Sequence, residues 1–199
     1  EILKDVLKIN KVKKDIPLHE PEFSDSEKDI LLDCINTTFV STSGKYIKKF
    51  ELELKKITGA KNVISVVNGT SALELGLRSV GIKKHQEVFV PALTFVATAN
   101  AIKYCNAVPH FIDSDLNTLG IDTLKLEKHI EYNCKLQNGK LYNNKPGRHI
   151  PAIIPVHVSG MSTDMRKVIN LAKKYNLTVV EDAAEALGSF WKDQHLGTF

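Results

Sequence analysis

A β-branched run, Leu177-Thr178-Val179-Val180, hands the chain to two consecutive carboxylates, Glu181 and Asp182, ahead of the small residues Ala183 and Ala184. Such a run fits a buried strand of a parallel sheet, and open α/β sheets bind ligands outside the carboxyl ends of their strands. Asp182 is therefore aimed at a crevice. A carboxylate taken out of water needs a partner: it pairs with a cation of the protein, or it awaits a cationic ligand. The plainer alternative is a solvated strand-end acid or a helix cap.

Two other handovers carry chemistry. Asn68-Gly69-Thr70-Ser71 follows the apolar run Val63–Val67 and opens a helix. Gly69 leaves room beside the backbone, free amides point out of the helix start, and the hydroxyls of Thr70 and Ser71 flank them, which is what a phosphate group requires. Ser71 and Glu74 also fit a Ser-x-x-Glu capping box that would satisfy the helix start without a ligand. The segment lacks both the Walker A lysine and a GxGxxG pattern, which disfavours P-loop and dinucleotide binding. Phe95 follows the strand Glu87–Val90 and the break at Pro91. It reads either as a core anchor with Ala99 and Ile102 or as a ring stacking on a planar ligand. A phosphate cradle, a flat ring and a carboxylate at three strand ends together match pyridoxal 5′-phosphate. A carboxylate beside the pyridine nitrogen keeps it protonated and makes the ring an electron sink.

The elements that must position these groups follow from periodicity and caps. Glu1–Lys14 reads as a short amphipathic helix, and the prolines of Asp15–Pro21 extend the chain. Ser24-Asp25-Ser26-Glu27 caps a helix through about Ile35, with Ile30, Leu31 and Ile35 inward. Phe39–Tyr46 is a polar loop pivoting on Gly44, and a helix from about Ile47 to Ile57 ends at Gly59. From Asn62 the texture becomes β-α alternation. Strands are expected at 63–67, 87–90, 108–112, 150–158 (irregular, because of Pro151 and Pro155) and 177–181. Helices are expected from Asn68 through Leu77, from Thr94 to Tyr104, from Asp122 to Tyr132 and from Asp164 to Tyr175. Cys134–Arg148, polar, basic and rich in Asn and Gly, reads as a surface excursion. The pattern predicts an α/β fold, a mostly parallel sheet with helices on both faces. It divides into an N-terminal helical segment with a substrate-side loop (1–60) and an α/β cofactor-binding domain (61–199).

Composition narrows the function classes. With 199 residues and 43% hydrophobic content the chain can build one real core. It has no membrane-length apolar run and no signal-peptide pattern, so a cytoplasmic location is expected. Cys34, Cys105 and Cys134 are scattered, with no CxxC pair, which argues against a zinc site or disulfide framework. The net charge of +4 is modest, and the early lysines lack aromatic interleaving, so nucleic acid is not an expected partner. Without an initiator Met at Glu1, and with no closing helix at Phe199, the chain reads as a piece of a longer polypeptide.

The motifs NGTSAL (Asn68–Leu73), PALTFVATANAI (Pro91–Ile102), PVHVSGMSTDM (Pro155–Met165) and EDAAEALGS (Glu181–Ser189) resemble the DegT/DnrJ/EryC1/StrS family. IPLHEP (Ile16–Pro21) and FVSTSGKYIKKFE (Phe39–Glu51) extend the likeness to nearly the whole chain from about Ile16. These are pyridoxal-phosphate-dependent, fold type I sugar aminotransferases, and the likeness is nearest to the branch aminating UDP-linked keto sugars. The resemblance implies that Thr70 and Ser71, with Gly69 between strand and helix, hold the cofactor phosphate. It further implies that Phe95 stacks on the ring and that Asp182 pairs with its nitrogen. Glu185 falls where many relatives carry Gln or His near the 3-hydroxyl, and a carboxylate there would repel a phenolate-like oxygen unless one is protonated. His157 lies in a family motif as a substrate-side or a structural histidine, and Thr42 and Tyr46 would face substrate across a subunit interface. The implied activity is transfer of an amino group, from glutamate as donor, to a nucleotide-linked keto sugar in cell-surface glycan biosynthesis by a homodimer. The Schiff-base lysine is implied beyond Phe199 in a motif resembling SFxxxK. No lysine here occupies that context, and Lys192 beside Trp191 is not a substitute. These residues alone are then expected not to turn over. The alternatives are a non-catalytic truncated product or pseudoenzyme, and a dehydratase carrying histidine in place of that lysine.

Overall fold

Alternation along one strand sets the layers. In β1 (Glu87–Pro91) every residue is buried. Phe89 points into one apolar cluster, while Val88 and Val90 point into another, as the two-residue period of a strand demands. The computed structural model describes residues 21–42 and 44–199. The expected helix Glu1–Lys14 and most of the proline-extended segment lie outside the described residues. The chain divides into two compact units, Glu1–Lys48 and Lys49–Phe199.

In the first unit, α1 (Asp25–Asn36) starts at the capping box expected of Ser24 and Glu27. The Ser24 amide donates to Glu27 at 2.6 Å. Ile30, Leu31 and Ile35, expected inward, are instead exposed. A helix buries a face only against a second layer, and among its described residues this unit supplies none. The helix α2 (Lys45–Thr58) ends at Gly59, whose positive φ of 73° suits a residue without Cβ.

The second unit holds a four-stranded parallel sheet in the order β2-β1-β6-β7. Its strands are β1, β2 (Val108–Ile112), β6 (Ala152–Ile153) and β7 (Thr178–Val179). An isolated parallel bridge between Val156 and Asp182 carries the β6–β7 pairing three residues beyond Ile153 and Val179, within the irregular strand 150–158 that Pro151 and Pro155 foretold. On one face, α3 (Gly69–Ser79) and α4 (Val96–Tyr104) pack Leu77, Ala101 and Ile102 onto Val88, Val90 and Ile154. On the other, α5 (Thr123–Asn133) and α6 (Met165–Tyr175) pack Leu126, Ile130, Met165 and Val168 onto Phe89 and Ile153. From β1 the chain crosses to β2 on one side, and from β6 to β7 on the other. The switch point, where ligands of such sheets bind, falls between β1 and β6.

Two expectations are corrected. Val63–Val67 forms no strand: it runs beside α2, where Glu51 accepts both the amide and the hydroxyl of Ser65 at 2.8 Å, and Ile64 and Val67 are exposed. Its apolarity announced a strand, but a strand exists only with a neighbour to receive its backbone hydrogen bonds, and none is offered among the described residues. Cys134–Arg148 is more than an excursion. It forms β3 (Cys134–Gln137) and β4 (Lys140–Asn143), which join β5 (His149–Ile150) in an antiparallel sheet turning at Asn138-Gly139. Both turn residues have positive φ, the conformation an Asn-Gly hairpin selects. Cys134, Leu141 and Ile150 anchor it in the core.

A half-buried polar chain ties this hairpin to Glu87 at the start of β1 and to His110 in β2. The Glu87 carboxylate accepts from Asn143 at 2.9 Å and from His110 Nδ1 at 2.7 Å, and Arg148 stands 3.5 Å away. His110 Nε2 meets His129 Nε2 at 2.9 Å, and Asn133 Nδ2 donates to His129 Nδ1 at 3.3 Å. Because a carboxylate only accepts, His110 carries its proton on Nδ1, and the proton between the rings belongs to His129. Both rings are then neutral, and an added proton on His129 would displace the Asn133 donor. Burial, and then the neighbouring His110, hold the His129 imidazole below its ordinary value.

Two stability predictions follow from these contacts. As pH falls, the unfolded chain binds the His129 proton first, so this contribution is present above about pH 6.5 and is lost below it. Thermal melts should show midpoints falling between pH 7 and 5.5, and His129→Gln should flatten the slope; His149, also held low by burial, leaves a residue of it. A Cβ at Gly120 would collide with the Thr163 side chain and crowd the Val156 carbonyl. Gly120→Ala should cost about 1–3 kcal/mol in urea unfolding, the range for overpacking a filled site.

Candidate functional site

Outside the carboxyl ends of β1, β6 and β7 lies a cavity of about 620 Å³. Its walls come from four turns of chain: Asn68–Thr70, Leu93–Phe95, Val156–Ser159, and Asp182 with Ala184 and Glu185.

The first wall is the start of α3. Asn68 caps it, its side-chain oxygen accepting the Ser71 amide at 2.8 Å. The Ser71–Glu74 capping box is not what forms, because Glu74 instead pairs with Arg78 at 2.8 Å. With the cap supplied by Asn68, the amides of Gly69 and Thr70 remain at the cavity, and a Cβ at Gly69 would meet nothing within 4 Å. Ser71 does not line the cavity. This wall is also no strand end, since Val63–Val67 pairs with no strand among the described residues; the helix start alone makes the cradle.

The second wall carries Phe95, which occupies the N-cap position of α4 in extended conformation. Standing before the first helical turn, it does not share a face with Ala99 and Ile102. At 77% exposure it is no core anchor, and it lines the cavity.

Opposite lies Asp182, 7% exposed. Its amide donates to the Pro155 carbonyl at 2.9 Å and its carbonyl accepts the His157 amide at 3.1 Å, so the sheet pairing itself sets its place. Oδ2 accepts the Thr98 hydroxyl at 2.6 Å, and Oδ1 accepts the Ala184 amide at 3.3 Å. No lysine or arginine among the described residues pairs with it. Of the two partners its burial called for, a cation of the protein is not the one provided.

Glu185 lines the cavity and accepts the amide of Ser159, a residue at φ 53°, at 2.5 Å. His157 contributes to the wall, but its ring is fully buried. The Thr163 amide donates to Nδ1 at 3.3 Å, which leaves Nε2–H to donate to Glu181 at 3.0 Å. Glu181 is a hub: the amides of Gly197 (2.9 Å) and Phe199 (2.7 Å) also end on it. Thr42 and Tyr46 belong to the first unit. There the Tyr46 hydroxyl donates to Asp33 at 3.0 Å, Lys45 pairs with the same carboxylate at 2.7 Å, and the Asp33 acceptor holds the Tyr46 phenol above its ordinary value.

The sequence reading missed Thr98 and Glu181. A helical threonine reads as filler, and the only trace of its role is the Thr94-x-x-x-Thr98 spacing. Glu181 stands beside Asp182 but points to the other face.

The donor set fits pyridoxal 5′-phosphate. Backbone amides and the Thr70 hydroxyl suit a phosphate, and Phe95, Leu73, Val158 and Ala184 supply apolar walls for a flat ring. Asp182 offers a carboxylate to a basic nitrogen. Among the described residues no group of His, Cys, Asp and Glu could hold a metal ion, and no helix is long and apolar enough to cross a membrane.

The model of the DegT/DnrJ/EryC1/StrS aminotransferase family matches residues 21–199. GDP-perosamine synthase of Escherichia coli O157:H7 is 38% identical over 186 residues, 94% of this chain and 47% of that protein. The structure of NtdA from Bacillus subtilis with bound cofactor PMP has a TM-score of 0.71 at 30% identity, covering 89% of this chain and 39% of that one. The E. coli GDP-4-keto-6-deoxy-D-mannose-3-dehydratase with bound hydrated PLP has a TM-score of 0.76 at 22% identity, over 93% of this chain and 45% of that one, a likeness of fold alone. The α/β fold is that of the large domain of such structures. The chain spans about half the length of the curated relatives it matches.

Glu181→Ala would leave the His157 ring N–H and the Gly197 and Phe199 amides without their acceptor. With each stranded donor worth about 1–3 kcal/mol, the urea midpoint should fall by the equivalent of about 3 kcal/mol or more.

Proposed function

The chain belongs to the DegT/DnrJ/EryC1/StrS aminotransferase family, and from that premise we propose that the whole protein transfers an amino group from glutamate to the keto carbon of a nucleotide-linked sugar. Residues 61–199 are the cofactor-binding domain in this reading, and 1–60 carry the substrate-side loop. The observation behind it is the buried Asp182 facing the cavity with a hydroxyl and an amide as its only partners among the described residues.

Bound here, pyridoxal 5′-phosphate would supply an electron sink for the carbon that gives up or gains the amino group. The chain's own residues do the rest. The amides of Gly69 and Thr70, with the Thr70 hydroxyl, anchor the phosphate at the positive end of α3, and Ser71, read from the sequence as a second phosphate hydroxyl, is left out of the cradle. Phe95 covers one face of the ring and excludes water from it. Asp182 holds a proton at the pyridine nitrogen, the condition for electron withdrawal. Glu185, fixed at the cavity edge by the Ser159 amide, would hold the 3-hydroxyl side of the cofactor, where one proton shared between the two groups would relieve their repulsion. His157, locked as the Nε2–H tautomer, shapes the substrate side through its wall rather than through its ring. Thr42 and Tyr46 are the substrate contacts offered across a homodimer interface. No lysine lines the cavity among the described residues, so the amine that completes the site is assigned to sequence following Phe199. The relatives' names carry GDP- and dTDP-linked sugars and the sequence resemblance adds UDP-linked ones as substrates to try, in a cytoplasmic pathway feeding surface polysaccharide.

The test uses the complete protein with pyridoxal 5′-phosphate, glutamate and GDP- or UDP-linked keto sugars. Mass spectrometry should show an amino sugar and 2-oxoglutarate formed together. Asp182→Asn should lower kcat/KM at least about 100-fold, the scale of losing one preorganised electrostatic group. Loss of water from the sugar without amination would replace the reading by a dehydratase, and no turnover in any combination would favour a non-catalytic role.

A further inference from the structure

We propose that Thr98 is the positioning residue for Asp182, and that Thr94 and Thr98 form a one-way hydroxyl relay that aims this carboxylate at a basic ring nitrogen in the cavity. The proposal rests on the reading of the cavity as a pyridoxal 5′-phosphate site.

A buried helical threonine ordinarily donates its hydroxyl back to the carbonyl four residues earlier. Thr58 does so, donating to Leu54 at 2.8 Å. Thr98, fully buried in the first turn of α4, does not: its hydroxyl reaches 84 residues along the chain to Asp182 Oδ2, at 2.6 Å. The proton order along the relay is fixed by chemistry. A carboxylate only accepts, so Thr98 spends its single proton on Asp182. The 2.7 Å contact between the two hydroxyls must then carry the proton of Thr94, which donates to Thr98. Thr94 lines the cavity, so the relay runs from the cavity wall to the carboxylate.

The consequence is geometric. A carboxylate turns about its own axis unless something holds one oxygen. With Oδ2 taken by a short bond to a side chain that is itself buried, Asp182 presents its remaining lone pairs in one direction only. Ala184 N–H, at 3.3 Å, is the sole donor to Oδ1 among the described residues. Phe95 stands one residue after Thr94, at the N-cap of the same helix. The start of α4 thus sets both the ring that stacks on the ligand and the hydroxyl that aims the acid. A ligand nitrogen between them would meet a carboxylate already oriented, without reorganisation on binding.

Pyridoxamine 5′-phosphate is the probe, because it carries the phosphate, the ring and the pyridine nitrogen yet cannot condense with surface lysines. It is titrated into the complete protein freed of cofactor, with affinity read by fluorescence and protonation of the nitrogen by the 15N shift of ring-labelled ligand. Thr98→Val keeps the shape of the side chain and removes the hydroxyl; Thr98→Ala removes it without bulk, so a misfolded valine variant does not end the test. Both should bind about tenfold more weakly and move the nitrogen resonance toward the neutral pyridine value. Thr98→Ser should restore affinity and resonance together, which a loss of packing would not allow. Thr58→Val should bind as the parent does. If the parent binds and the two hydroxyl-free variants match it in affinity and shift, Thr98 does not position Asp182 and the cofactor reading stands. If the parent does not bind the probe, the cofactor reading and this proposal fall together.

Discussion

Everything at the cavity depends on keeping one carboxylate out of water without neutralising it. Asp182 stands where β7 has left the sheet but the parallel pairing persists: its amide and carbonyl are spent on Pro155 and His157, so the backbone cannot drift. The side chain is then held by donors that stabilise a negative charge without cancelling it. An arginine in place of Thr98 would have been the ordinary way to bury an acid, and it would have closed the site to a cationic ligand. A hydroxyl leaves the charge available.

The residue before it does the opposite work. Adjacent strand residues point to opposite faces, so Glu181 turns away from the cavity and gathers His157, Gly197 and Phe199. One dipeptide thereby separates chemistry from construction. Asp182 faces the cavity, and Glu181 fixes the segment that follows Ala183 and Ala184 against the wall made by His157. The same wall carries Ser159, whose left-handed backbone aims an amide at Glu185. At the far end of the sheet, Glu87 repeats the constructional role for the β3–β4 hairpin, with the His110 imidazole and the Asn143 side-chain amide in place of backbone amides.

Much of the fold was legible because burial leaves a pattern. Strand β1 reads as continuous apolar sequence since both its faces are covered, and the caps at Ser24, Asp122 and Asp164 are local chemistry. Failures came where a local signal needs a distant partner. Val63–Val67 has the composition of a strand, but composition does not supply the neighbour. Cys134–Arg148 looks polar because only alternate residues, such as Leu141, face inward. Part of the cavity lining was legible as residue types, Gly69, Thr70, Phe95 and Asp182, because a helix start, an exposed aromatic ring and a strand-end acid are each recognisable in sequence. Thr98 was not, because its meaning lies in a bond across 84 residues of sequence. Ser71 was read as a phosphate hydroxyl, yet Asn68 takes its amide and it stands back from the cavity.

The central claim is that the start of α3, Phe95 and Asp182 form one ligand site. Amide NMR spectra of the isotopically labelled chain, recorded as pyridoxamine 5′-phosphate is added, examine it most directly. The account predicts saturable shifts at Gly69, Thr70, Phe95, Asp182 and Ala184, all following one binding curve, with the β3–β4 hairpin unmoved. Shifts confined to α3, or scattered over surface lysines with no common curve, would contradict it.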